Sequence, residues 1–425
     1  MPRFCDIIGR TACQSSCQFP LSFCFPRFMK SSENVLPNAS AGADLQAARR
    51  ATWATMAQFF VNGATFATWG VWIPVLKANF QVSDAVLSLA MLAVSFGAIL
   101  AMNGVGRWVG RAGSARVLAL SGVAYSILLV VIPWATYFPV LLLVLVLFGM
   151  GMAAFDVAMN VQAATVEARL GKPVMSTLHG MFSLGGMAGA GLGGLLMGAG
   201  VSLQVHGFII ASMTVLAALL ATSYLLTDAE SHVAEGEAAA GSGIPRVLWI
   251  LGTVAFLGLV CEGAMYDWAA VYMRDVAGAP TAQSGYGYAT FATGMAVGRF
   301  SADLLRRRFS DERLMTVSAW LGCIGMTLVI AAPWPWPSLV GFTLMGLGVA
   351  NLMPFFFLAG AKLPGLSPAV GVAGVARFAY VGMLLGPPLI GGITHATSLR
   401  IALALVALTM GWIALAGIKR VCRLG

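Results

Sequence analysis

The chain runs to 425 residues, of which 59% are apolar and only 10% charged, with a formal net charge of +9. A soluble domain carries about a quarter charged residues, and a globule this apolar has no way to hide its surface from water. The composition therefore excludes an ordinary soluble domain and points to a chain dissolved in lipid.

Residues 1–50 read as a cytoplasmic tail. Cys5, Cys13, Cys17 and Cys24 crowd it without His or C-x-x-C spacing, so no metal site or cofactor is expected. No sustained apolar run marks a cleaved leader. Residues 1–28 read as an upstream extension, and Met29 with the polar stretch 30–50 as an ordinary start.

Spanning a bilayer takes about 20 apolar residues in a helix. Twelve such segments follow, at 52–76, 84–106, 116–134, 139–166, 176–199, 203–226, 246–272, 283–303, 314–332, 338–361, 371–394 and 399–418. The runs are continuously apolar, which favours helices over the alternating strands of a barrel. One stretch interrupts them: residues 228–245 are acidic, small and Gly/Ser-rich, and read as a linker. The expected organisation is a bundle over 51–227, the linker, a second bundle over 246–418 and a cytoplasmic tail over 419–425.

Charge fixes the orientation. With the N-terminus inside, the cytoplasmic segments hold Arg49, Arg50, Arg107, Arg111, Arg116, Arg169, Lys172, Arg246, Arg306 to Arg308, Arg313, Lys362, Lys419, Arg420 and Arg423. The outer loops hold only Lys77, Arg274 and Arg400. This is a strong positive-inside pattern. It accounts for the net charge without any nucleic-acid partner. The outer loops are rich in Pro and Trp, as in Pro333 to Pro337, and Trp suits a membrane interface.

The two halves read as copies. Gly97 to Leu118 lies over Gly294 to Met315 at an offset of 197, which also carries Gly149 and Gly151 onto Gly346 and Gly348, and Gly185 and Gly189 onto Gly382 and Gly386. Chance likeness of Gly-rich helices is the plainer reading, but one offset held across three helix pairs favours duplication.

Two such halves, an inside linker and the basic loop Gly106-x-x-x-Gly110-Arg111-x-Gly113-x-x-Arg116 resemble the major facilitator superfamily. The resemblance covers about residues 52–418 and implies an all-α polytopic membrane protein with 12 transmembrane helices in two pseudo-symmetric six-helix bundles. Where this chain has Gly110 the family usually has Asp. Asp156-x-Ala158-x-Asn160, Trp69-x-x-x-Ile73-Pro74 and Glu262-Gly263-Ala264-x-x-Asp267-Trp268 are most similar to the fucose-permease-like branch and its bacterial inner-membrane members. That branch's acidic residue near the outer end of the first helix aligns with Gly70, so fucose does not carry over. The resemblance implies residence in the bacterial inner membrane, both termini inside, and action as a monomer.

An ionisable residue inside the bilayer is costly unless it faces a cavity or a partner. Asp156 and Asn160 share a face of the fourth segment, Asn62 lies mid-depth in the first, Glu262 and Tyr266 share a face of the seventh, and Asn351 lies mid-depth in the tenth. In the family these helices line the cavity where solute binds. Asp156 and Glu262 are the candidate proton carriers, since a carboxyl in a low-dielectric cavity can load and release a proton near neutral pH. The plainer alternatives are a permanent pair of Asp156 with Asn62 or backbone, and a polar contact for Glu262 near the outer mouth. Asp267 reads as an interface residue or a gate partner. Trp69 and Trp268 read either as a platform or gate for solute or as interface anchors. His179 and Arg377, at matching inner ends, are gate candidates. Arg111, Arg116, Arg308 and Arg313 are expected to pair with acids such as Glu167 or Asp303 in one state of a rocking cycle, or else to serve only as topology charges.

The leading expectation is proton-coupled uptake of a small polar, sugar-like solute. The alternatives are proton-coupled efflux of amphipathic compounds, which the 22 Met and 24 Phe would suit, and a solute sensor that does not transport. Scattered His, and the lack of H-E-x-x-H, G-x-S-x-G and Walker A motifs, argue against an enzyme or an ATP-driven pump.

Overall fold

The computed structural model describes residues 39–172, 174–227, 246–364 and 368–423. The four tail cysteines and the linker 228–245 lie outside the described residues. Contacts divide the chain into a unit of residues 1–42, of which 39–42 are described and helical, and a unit of residues 43–425 that holds everything that follows.

The helices are α1 (Ala39–Phe80), α2 (Asp84–Ala112), α3 (Ser114–Val131), α4 (Phe138–Leu170), α5 (Met175–Gly198), α6 (Leu203–Thr222), α7 (Arg246–Asp275), α8 (Thr281–Ser284), α9 (Tyr286–Arg306), α10 (Asp311–Ala331), α11 (Pro335–Val349), α12 (Leu352–Ala361), α13 (Pro368–Ala396), α14 (Leu399–Trp412) and α15 (Ile418–Cys422), with one π-helical turn, Ile413–Gly417, between the last two. Short polar signals set many of their ends. Ser83, Ser202, Ser310 and Ser398 each cap a helix by accepting from the backbone N–H three residues on. Gly113, at φ 80°, turns α2 into α3 within one residue, a backbone conformation that a side chain would strain. In the expected basic loop, this is the glycine with a clear structural task.

Among the described residues, eleven stretches of helix are long and apolar enough to cross a membrane. They match eleven of the twelve expected segments. The remaining one, 283–303, is the 21-residue α9. It has the length, but Gly, Thr and Tyr residues and Arg299 dilute its apolar character. The first segment is longer than expected, because α1 begins at Ala39, inside the stretch read as tail. The tenth is split: Ala350 and Asn351 leave the helix between α11 and α12. Pro354 has no N–H to return to the carbonyl of Ala350, four residues back, which is the physical cause of the break. Pro74, Pro387 and Pro388 lie within continuous helices.

Glycine decides how closely these helices approach. A Cβ at Gly97 would overlap the carbonyl of Val146, and one at Gly149 the carbonyl of Val94, so α2 and α4 touch backbone to backbone. In the other half, Gly294 meets Thr343 and Gly346 meets Phe291 in the same way, between α9 and α11. All four residue pairs follow the offset of 197. So does the approach of Gly151 to Tyr125 and of Gly348 to Gly322. The contact of Gly185 with Phe60 recurs as Gly382 with Phe256, slipped by one residue. The duplication read in the sequence thus extends to the contacts.

The halves meet along α5 with α9 and α2 with α13. At one end they are sealed. Lys77 Nζ lies 2.6 Å from carboxylate oxygens of both Asp84 and Asp275. Arg274 pairs with Asp275 at 2.5 Å and donates to the carbonyl of Pro74, and a Cβ at Gly391 of α13 would crowd Ser88 of α2. Arg400 caps α10 through the carbonyl of Ile330 at 2.8 Å. The three basic residues expected in outer loops are therefore all engaged. At the opposite end, Gly104, Gly106 and Gly110 of α2 face open space.

Gly149→Val or Gly294→Val should lower the thermal midpoint in detergent, since overpacking costs about 1–3 kcal/mol, whereas Gly110→Ala should leave it unchanged. Equal midpoints for all three variants, followed by fluorescence-detected melting, would show that close glycine packing does not hold the bundles.

Candidate functional site

Between the halves lies a cavity of about 280 Å³. Asn62, Asp156, His179, Glu262 and Tyr266 line it, together with Phe66, Phe182 and a run of methionines (Met102, Met152, Met159, Met353 and Met383). Five of the polar residues singled out in the sequence thus converge from α1, α4, α5 and α7.

The strongest polar cluster centres on Arg299 of α9. Its guanidinium donates to Ser183 Oγ at 2.8 Å and to the carbonyl of His179 at 3.2 Å, both on α5 in the other half. It also reaches Glu262 Oε1 of α7 at 3.4 Å and the carbonyl of Ala350 at 3.5 Å. That last carbonyl is the one Pro354 leaves without its helical partner. Asn351 fastens the same joint by donating to the carbonyl of Gly298 at 2.9 Å. Tyr266 donates to Glu262 at 3.4 Å. Glu262 is thus a buried carboxylate with a cation and a hydroxyl on one oxygen.

Arg299 was not among the residues picked from the sequence. The signal was present: it is the one basic residue within 283–303, and a charge inside a span marks a functional position by default.

Asp156 contrasts with Glu262. It faces the cavity part-buried, and among the described residues nothing donates to its carboxylate. It is not paired with Asn62, whose Oδ1 is buried without a partner. Asn160 donates to the backbone carbonyl of Asp156 at 2.9 Å, not to its carboxylate, and does not line the cavity.

A second space of about 20 Å³, room for a single water, lies on the sealed side, lined by Trp69 and Asp267. Phe66, Tyr266 and Met383 border both spaces. The rings of Phe66 and Tyr266 meet edge-on at 5.9 Å. Asp267 is therefore inside the protein beneath the seal. Trp69 and Trp268 are 1% and 0% exposed, which removes the interface-anchor reading for both. Trp134, Trp334 and Trp336, all well exposed, fit that role.

The expected ion pairs at the end opposite the seal are not formed. Glu167 instead caps α5, accepting from the backbone N–H groups of Val174 and Met175 at 2.8 and 3.0 Å. Its carboxylate is drawn to the unpaired N–H groups and the partial positive charge of a helix start. Arg111, Arg116, Arg308 and Arg313 are exposed and make no ion pair among the described residues. The pair at this end is Arg306 with Asp311 at 3.2 Å. The side chain of Asp303 lies outside the described residues. Arg377 is exposed and away from the cavity, whereas His179 lines it, its ring edge-on to Phe59 at 5.2 Å.

Helices of membrane-crossing length around a charged central cavity, sealed at one end by ion pairs, define a multi-pass membrane transporter. The chain belongs to the Major Facilitator Superfamily, whose family model matches residues 54–380. It is 31% identical over 362 residues to an uncharacterised MFS-type transporter of Yersinia pestis, covering 84% of this chain and 92% of that one. Among solved structures it resembles the nucleoside transporter NupG (TM-score 0.68, 13% identity, 86% of this chain and 99% of that one) and the Escherichia coli fucose:proton symporter FucP (TM-score 0.58, 16% identity, 87% and 98%). These likenesses show the fold. The chain is a secondary transporter and not an enzyme.

Arg299→Ala should destabilise the protein by the lower end of the about 3–5 kcal/mol that follows from stranding a buried charge, since the paired side chains keep 13% and 10% exposure. Arg299→Ala combined with Glu262→Gln should recover part of that loss. Additive losses in a double-mutant cycle of melting midpoints would show that the two residues are not coupled.

Proposed function

We propose that the protein is a proton-coupled carrier of a small organic solute, working as a monomer by alternating access in the bacterial inner membrane with both termini in the cytoplasm. The observation that supports this most is Asp156, a carboxylate without a partner among the described residues, on the wall of a cavity between the halves. Such a group binds and releases a proton at the place where solute would sit. A carboxylate that only held helices together would be hydrogen-bonded, as Glu167 is.

By the positive-inside pattern the Lys77 end faces the periplasm, so this arrangement is the inward-facing state. Rocking about the α5–α9 and α2–α13 contacts would open the seal and close the Gly106–Gly110 end. Arg299, bonded to both halves, is placed to sense the charge of Glu262 during that motion. Asp267 offers a proton stop on the periplasmic side.

Uptake of a sugar-like solute and efflux of an amphipathic one differ in what the cavity must supply. A sugar needs many free polar partners. Here most of the wall is methionine, phenylalanine and aliphatic, and the Tyr266 hydroxyl and four of the five Arg299 donors are already used. The wall thus favours a solute with an apolar body. A sensor without transport would bind solute with no flux.

In proteoliposomes, a transported solute should trigger proton movement in the wild type and not in Asp156→Asn. Equal proton movement in both proteins would remove Asp156 from the proton path and make Glu262 the candidate.

A further inference from the structure

Charges on the cavity wall are unequally matched. The charged side chains lining it are Asp156, Glu262 and Arg299, with His179 as the other titratable base. Arg299 and Glu262 neutralise each other at 3.4 Å. One negative charge, that of Asp156, is left without a counter-ion among the described residues. The groups facing it from neighbouring helices do not supply one: they are Tyr125 on α3, Tyr380 on α13 and His179 on α5, and Asn160 on α4 is committed to backbone. The Asp267 carboxylate lies in the separate smaller space.

The uncharged groups of the wall are mixed: Asn62 Oδ1 is fully buried without a partner, and Ser95 and Tyr380 line the cavity with hydroxyls. Pro387 and Pro388 carry no N–H to bond the carbonyls of Met383 and Leu384, four residues back, and both of those residues line the cavity. Four of the five N–H groups of Arg299 are engaged, by Ser183, His179, Glu262 and Ala350. A cavity with one surplus negative charge is complementary to a ligand that brings one positive charge.

We infer that the transported solute is a small organic monocation, a protonated amine on a largely apolar body, whose ammonium pairs with Asp156 and so takes the place of the proton there. This rests on the carrier reading above and extends it to substrate class and direction. One unmatched carboxylate holds either the proton or the ammonium. Each half-cycle therefore carries one positive charge: the amine leaves on one side, a proton takes its place on the carboxylate, and the proton is released on the other side as the next amine binds. The exchange is one for one and electroneutral. A proton gradient directed inward would drive the amine out.

Matched pairs differing only in –NH₃⁺ against –OH test this on the full-length protein in detergent: phenethylamine and phenethyl alcohol, cyclohexylamine and cyclohexanol, glucosamine and glucose. By calorimetry, at least one amine should bind about tenfold or more tightly than its alcohol. Its apparent Kd should rise by up to about tenfold per unit fall in pH where Asp156 protonates, because proton and amine compete for one group. Asp156→Asn should bring amine and alcohol within about twofold and remove that pH dependence, and Asp156→Glu should restore the preference. In proteoliposomes, exchange should follow the pH gradient and ignore a potassium diffusion potential.

The inference is overturned if no amine exceeds its alcohol, including the case where neither binds, if Asp156→Asn keeps the preference, or if flux follows the potential. The first of these outcomes with a neutral solute driving proton flux would sink the cation and leave the carrier intact. Amine binding at Asp156 with no solute flux would do the reverse.

Discussion

Everything in this fold rests on backbones being able to touch. Lipid offers no hydrophobic drive to press helices together, so adhesion comes from contact area and close approach. Glycines at the crossings of α2 with α4 and α9 with α11 bring carbonyls against Cα atoms, where even a methyl group would not fit. Because these contacts recur at a constant offset, each half is braced by the same joints. Two stiff bodies with a few shared contacts can then tilt without being rebuilt.

The cost of burying charge arranges the centre. Where an ion must sit inside, a low dielectric makes partners obligatory. Arg299 collects its partners from α5, α7 and the α11–α12 joint. A proline that spoils one helix thereby supplies an acceptor to the cation of another, so a local defect and a buried charge resolve each other. Asp156 is left outside this settlement, on the open wall.

Much of this was legible in the residues. Long apolar runs, charge asymmetry and repeated glycines report directly on lipid contact, orientation and duplication, so the spans and their pairing could be read. Asp156, Asn62, Glu262 and Tyr266 stood out because polar groups are scarce in such runs. What failed depended on direction in space. Glu167 lies near arginines along the chain, yet its carboxylate turns to the start of α5. Trp69 and Trp268 have the composition of interface anchors but face inward. Arg299 escaped because its span is the least apolar of the twelve and lies next to a run of arginines that mark topology. The break at Asn351 needed Pro354, the freed carbonyl and a cation from another helix to be seen together.

The seal built from Lys77, Asp84, Asp275 and Arg274 has a property that an apolar plug would lack. Its members come from both halves and sit near the rim of the bundle, where dissolved ions can reach them once they part. Closed, the cluster is partly shielded from the medium; open, each charge is dressed by water and counter-ions. Brine on that face would favour the parted form and dilute medium the joined one. In the rocking cycle proposed above, the posture of the molecule is therefore tied to the salinity of its surroundings, quite apart from what it carries.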